Sequence, residues 1–158
     1  MSLHRRRLGV ALAAVALVGA GGGASARLAG LAPVKITSGS MAPTVDRGDW
    51  VIAHSSHHPP RRGEIVMFRF PLGTSGRAIK RVVAIAGDHV TYTAHTLTIN
   101  GTTRPIAGAP NPGLNGSLTV PDGHVFVLGD HADVSIDSRS FGVLPVTETV
   151  GKIVLILP

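Results

Sequence analysis

The chain has no cysteine. Disulfides, thiolate metal sites and a cysteine nucleophile are thereby excluded, and an exported domain of this sequence must hold itself by core packing alone. Aromatic residues are scarce, with one tryptophan, one tyrosine and four phenylalanines among 158 residues. Charged residues make up only 15%. No long helical periodicity appears after residue 30 and no segment repeats, which argues against a bundle or a solenoid. Glycine (20), proline (11) and apolar residues (44%) are plentiful. That mixture predicts one domain rich in turns, and a mainly β architecture.

The net charge of +6 would suit a nucleic-acid partner, but its distribution does not. Residues 1–27 hold Arg5, Arg6, Arg7 and Arg27 and no acid, so the remaining chain carries 11 basic against 9 acidic residues. No aromatic–basic interleaving accompanies the charge, and no nucleic-acid role is expected.

The basic start is followed by an uncharged run of 19 residues, Leu8 to Ala26. That length spans a bilayer as a helix. Three arginines before it and one after predict a cytoplasmic N-terminus and an extracytoplasmic remainder. A second reading stays open. The strongly apolar part, Leu8 to Ala20, is the length of a signal-peptide core, and Ala24-Ser25-Ala26 fits a cleavage site. The triple glycine at 21–23 also weakens a helix. The expected organisation is a basic N-terminus (1–7), one transmembrane anchor or signal-like segment (8–26), a linker (27–35) and a β domain (36–158).

Within that domain, short Val- and Ile-rich runs read as strands at 49–54, 64–70, 78–86, 89–93, 96–99, 124–129 and 151–157. Asn100-Gly101, between Ile99 and Thr102, predicts a type I′ hairpin. The Pro/Gly/Asn-rich stretch 107–117 reads as an exposed loop.

Three segments carry chemistry-bearing residues. The first is "ITSGSMAPT", with Ser38 and Ser40 one residue apart. A serine hydroxyl is a weak nucleophile without a base beside it. A neutral lysine can be that base once burial lowers its pKa from about 10.4. The second segment, "AIKRVVAIAGD", embeds Lys80, one of only three lysines, in an apolar strand. An edge-strand lysine that discourages aggregation would look similar. The third, "LGDHADVSIDSRSFG", follows a strand and gathers Asp130, Asp133, Ser135, Asp137, Ser138 and Arg139. Asx turns would explain its acids and serines, but not their place at a strand-to-loop junction, where sites concentrate.

Together these segments resemble the bacterial type I signal peptidases, membrane-anchored Ser/Lys proteases. "SGSMAPT", "RGEIVMF", "IKRVVAIAGD" and "GDHADVSIDSRSFGVLP" match the family's four boxes in order, over residues 36–146. The resemblance implies antiparallel β-sheets of the signal-peptidase-like fold behind one N-terminal transmembrane helix. It implies Ser40 as nucleophile and Lys80 as general base. Ser38, with the Ser40 N–H, would form the oxyanion hole, and Ser135 would orient the lysine amine. Arg81, Asp130, Asp137 and Arg139 would form ion pairs behind the site. Ile36, Met41 and Ile79 would shape small apolar substrate pockets, with Met41 and Pro43 holding the nucleophile turn. Implied partners are signal peptides of exported preproteins and membrane lipid, with a monomeric, single-pass protein in the cell membrane and no metal or other cofactor. An enzyme that shares a membrane with its substrate gains effective concentration, which favours the uncleaved anchor.

The sequence departs from the family pattern at His131, Ala132 and Val134, where Asn, Arg and Asn are usual, and at Phe141, where Trp is common. These changes spare Ser135 and the Asp/Arg framework and bear on the surrounding surface and the substrate range. A maturation protease of the same family with one narrow client is therefore an alternative. A self-cleaving repressor would need a DNA-binding region and a cytoplasmic location, and residues 1–35 offer neither. A non-enzymatic alternative is an exported β-module that binds cell wall or metal. Its basis is the "HSSHHPP" run with His54, His57 and His58. Two prolines and two arginines follow that run, so it reads as a surface loop, and no metal is assigned.

Overall fold

The computed structural model describes residues 30–55, 58–71, 76–106 and 113–158. The basic N-terminus and the 8–26 anchor lie outside these residues. So do His57 and most of the loop expected at 107–117. Among the described residues no helix is long and apolar enough to cross a membrane.

The architecture is mainly β, with every pairing between strands antiparallel. A seven-stranded sheet has the order β1-β2-β11-β3-β4-β9-β10. Its strands are β1 (Leu31–Lys35), β2 (Trp50–His54), β3 (Ile65–Arg69), β4 (Arg77–Ile85), β9 (His124–Leu128), β10 (Leu144–Pro145) and β11 (Thr149–Leu157). A four-stranded sheet, ordered β7-β6-β5-β8, is formed by β5 (His89–Tyr92), β6 (Thr96–Ile99), β7 (Thr102–Pro105) and β8 (Gly116–Thr119).

Each of the seven expected strands corresponds to an observed one within two residues at either end. The hairpin at Asn100-Gly101 forms as expected, with Ile99 opposite Thr102 and both turn residues at positive φ, 49° and 83°. Two expectations change. The linker at 27–35 gives way to β1 over Leu31–Lys35, which pairs with β2 along its whole length. Pro33 lacks an N–H and so suits an edge strand, which is where β1 lies. The expected loop at 107–117 ends in β8, which begins at Gly116.

Three apolar clusters hold the fold. One face of the large sheet packs Ile36, Met41, Val45, Val51, Ala53, Met67 and Ile79 together. This cluster seats the turn that carries Ser40. The opposite face packs Phe68, Val82, Val125 and Leu144. The small sheet contributes Val90 and Leu97, and Val120 just past β8 joins them, in a third cluster with Val83, Phe126 and Leu128 of the large one.

Candidate active site

Ser40 sits in a tight turn between β1 and β2. The Ala42 N–H donates to the Gly39 carbonyl at 3.1 Å and the Val45 N–H to the Met41 carbonyl at 3.0 Å. The Ala42–Pro43 peptide is cis. Met41 and Val45, 1% and 0% exposed, anchor the turn from below. Met41 is thus core beneath the site, whereas Ile36 and Ile79 reach its surface groove.

Lys80 lies mid-way along β4, opposite Val66 of β3. It is only 4% exposed. Its Nζ donates to Ser40 Oγ at 2.6 Å and to the Ile79 carbonyl at 3.0 Å. Both acceptors are neutral. Burial therefore dominates and lowers the Lys80 pKa from 10.5 to about 8, against the opposing charges of Asp137 and Asp130. Chain positions 40 residues apart thus meet as a hydroxyl and an amine poised to exchange a proton.

Ser38 Oγ lies 3.4 Å from Ser40 Oγ. The Ser40 N–H donates to no other described residue, so it remains available beside the Ser40 hydroxyl. A groove of about 170 Å³ opens next to the pair, lined by Val34, Ile36, Ser38, Met67, Ile79 and Lys80 among others. Val34, Ile36, Met67 and Ile79 give it an apolar side, which suits small side chains, while Lys35 and Arg77 also line it.

The 129–139 segment forms the back of the site. Asp137 and Arg139 are wholly buried and bonded twice, Nε to Oδ1 at 2.9 Å and Nη2 to Oδ2 at 2.8 Å. Asp137 also accepts from the Gly129 N–H at 3.0 Å and from the Ser135 hydroxyl at 2.7 Å. The Ser135 hydroxyl, expected on the lysine amine, thus points to Asp137, the one charged acceptor beside it. A carboxylate outcompetes a neutral amine for a hydroxyl proton. Arg81 clasps Asp130 in the same two-pronged way, at 2.8 and 2.6 Å. Burial raises the Asp130 pKa, but the hydrogen bonds from Arg81 and Thr44 and the charges of Arg81 and Arg104 more than offset it, and the carboxyl stays below its usual range.

Residues 5–157 match the family described as "Signal peptidase, peptidase S26". The chain belongs to this family. It is 37% identical to the probable thylakoidal processing peptidase 2 of Arabidopsis thaliana over 76% of this chain and 36% of that one. It is 30% identical to signal peptidase I of Pseudomonas fluorescens over 76% of this chain and 62% of the relative. The chain thus spans between about a third and two-thirds of the length of these relatives. The crystal structure of a signal peptidase I from Enterococcus faecalis V583 superposes with a TM-score of 0.51 at 29% identity, covering 63% of this chain and all of that one.

Several residues of this peptidase-family site are not evident from side-chain chemistry. A Cβ added to Gly129 would collide with the Ser135 hydroxyl and come within 2.5 Å of the Ser40 carbonyl. That carbonyl accepts from the His131 N–H at 3.1 Å, so the last segment grips the backbone of Ser40 itself. Ser138 Oγ accepts from the Val127 N–H at 2.9 Å and ties the segment to β9. The available signal was a glycine at the end of a strand, directly before Asp130. Of the histidine run, His54 ends β2, and no cluster among the described residues is placed to hold a metal ion.

Proposed function

We propose that the protein is a membrane-anchored serine endopeptidase that removes signal peptides from exported preproteins with a Ser40/Lys80 dyad. The observation that carries this reading is the 2.6 Å bond between a buried lysine amine and a serine hydroxyl beside a groove that Ile36, Met67 and Ile79 help to line.

Neutral Lys80 takes the proton of Ser40 as Oγ attacks the scissile carbonyl. The carbonyl π electrons move onto its oxygen, which the Ser40 N–H and the Ser38 hydroxyl stabilise. The lysine proton then passes to the departing amide nitrogen, the C–N bond breaks and an acyl ester remains on Ser40. Water, losing a proton to Lys80, attacks that ester; the C–O bond to Ser40 breaks, Lys80 returns the proton to Ser40 Oγ, and the signal peptide leaves with a new C-terminal carboxyl, which ionises in water. Ile36 and Ile79 flank the groove for small side chains of Ala-x-Ala type. Asp137–Arg139 and Arg81–Asp130 are the ion-paired framework behind the site, and Ser135 acts on the amine's surroundings through Asp137. Segment 8–26 holds the domain at the outer membrane surface with the N-terminus in the cytoplasm, so that enzyme and substrate share one membrane.

The test is cleavage of a membrane-inserted preprotein by the full chain in lipid vesicles, read by mass spectrometry beside Ser40→Ala. Cleavage after Ala-x-Ala by the wild type alone supports the reading. Equal cleavage by Ser40→Ala, or none by the wild type across several preproteins, overturns it. Cleavage of one preprotein among many would identify the narrow-client form.

A further inference from the structure

The groove beside Ser40 does not stop at the apolar subsites. It continues along β3 and β4 into a second depression of about 400 Å³, and both are lined by Met67 and Arg77. The strand register explains what decorates the extension. Met67 stands opposite Ile79, and one same-face step further Arg69 stands opposite Arg77. Lys35, at the end of β1, lines the groove from the other side. Arg77 thus lines both depressions, Arg69 the distal one and Lys35 the one beside Ser38. Like charges directly opposite each other weaken a sheet. Of these three cations, only Arg69 has an ion pair among the described residues, a loose one to Glu148 at 3.7 Å. Arg77 and Lys35 form none among the described residues, and all three cations are exposed.

We propose that the Arg69–Arg77 pair, with Lys35, is a subsite for an acidic side chain in the substrate segment upstream of the scissile bond. The proposal rests on the reading of this groove as a peptide cleft, and it adds a charge preference to that cleft. The position follows from strand geometry. A same-face step of two residues covers about 6.8 Å, in β4 as in an extended peptide. A peptide whose residue before the scissile bond sits at Ser40 and Ile79 places alternate residues on the groove face. Arg77 stands one such step beyond Ile79, opposite Arg69, and the long arginine side chains carry their charge about one step further, to the groove-facing residue five positions upstream of the scissile bond. A carboxylate there neutralises the repulsion across β3 and β4, whereas a lysine there adds to it.

The experiment uses three peptides that share an Ala-x-Ala cleavage site and differ only five residues upstream, where they carry Asp, Asn or Lys. The full chain cleaves them in detergent micelles, free of anionic lipid. The expected order of kcat/KM is Asp, Asn, Lys, with about tenfold between the extremes at low salt and a smaller spread at 1 M salt. In Arg77→Glu the Asp-to-Lys ratio inverts, and in Arg69→Gln it shrinks. Each ratio is measured within one variant, so partial loss of folded protein does not distort it. Equal cleavage of all three peptides by the wild type overturns the subsite and leaves the protease reading standing. Cleavage of none of them counts against the protease reading instead. A ratio that persists in Arg77→Glu also overturns the subsite.

Discussion

Two buried cations feel Asp137, Arg139 through direct bonds and Lys80 through charge alone, and their surroundings differ accordingly. Arg139 has a carboxylate bonded to two of its nitrogens and is sealed from water. Lys80, equally buried, has a hydroxyl and a backbone carbonyl. A buried charge bonded to a matched partner is structural, because breaking the pair would leave a charge uncompensated in the interior. A buried ammonium with neutral partners is penalised by desolvation, and its pKa falls to about 8. The site thus holds one cation in a matched ion pair and another near the point of giving up its proton. The difference lies in one carboxylate, and it separates scaffold from chemistry.

The sharpest way to break this contrast is Lys80→Met. Cleavage should fall by at least about 10⁴-fold, as when one member of a nucleophile–base unit is removed. Stability should move the other way. The native lysine titrates at about 8 and the unfolded one at 10.5, so between these values the unfolded chain binds more protons and wild-type stability rises with pH. Below about pH 8 the folded protein bears the full burden of the buried ammonium, an upper figure of about 3 kcal/mol. Methionine relieves it, so the variant should resist denaturant better at pH 7, with the gap closing towards pH 10.5. A variant less stable than wild type at both ends would place Lys80 with Arg139 as a structural cation.

Asp137→Asn tests the other side. It leaves Arg139 buried and unmatched, and unfolding in denaturant should show a loss of about 3–5 kcal/mol. Replacing both partners with apolar residues, Asp137→Leu with Arg139→Met, should recover most of that loss. If the double variant is as unstable as the single one, the hydrogen bonds that Asp137 accepts from Gly129 and Ser135 matter more than the charge pair.

Gly129→Ala asks whether the two environments can be pushed together. The new methyl would crowd the Ser135 hydroxyl and the Ser40 carbonyl. Overpacking of this kind costs about 1–3 kcal/mol. The rate of cleavage should drop by about tenfold or more, because the nucleophile's own backbone must shift. A loss of stability without a loss of rate would show that the site tolerates the displacement.

Why these neighbours were harder to read from the sequence than the dyad is a matter of range. Ser40 and Lys80 announce themselves locally, one by two serines in a small-residue turn and the other by a lone lysine among Ile and Val. The β2, β3, β4 and β9 runs are equally local, because alternation and β-branching lie within a few residues. Gly129 is different. Its need for a bare Cα arises only when residues 40 and 135 converge on it. The bond from Ser135 is similar, since two oxygens and an amine compete for one proton and only geometry decides. β1 was hidden by Pro33 and by the glycines before it, which read as linker until an edge strand is offered a partner. The charge stripe on the groove also required the β3–β4 register, because Arg69 and Arg77 flank a loop in the sequence and face each other only in the sheet.

The smallest effect is also the most direct reading of the Lys80 environment. The rate kcat/KM reports the free enzyme's ionisation, so it should rise with pH through about 8 and then level off as Lys80 loses its proton. Desolvation sets that position, and the charges of Asp137 and Asp130 pull it upward. Asp137 cannot be removed without unmatching Arg139, whereas Asp130 is partly exposed and its partner Arg81 reaches water. In Asp130→Asn one upward pull is gone, and the freed Arg81 charge disfavours the ammonium further. Both changes act in one direction, so the rising limb should move to lower pH while the plateau rate changes little. A limb that stays in place would mean the carboxylate's field does not reach the amine, and that burial alone separates Lys80 from Arg139. A limb that moves upward would contradict the sign of the interaction itself.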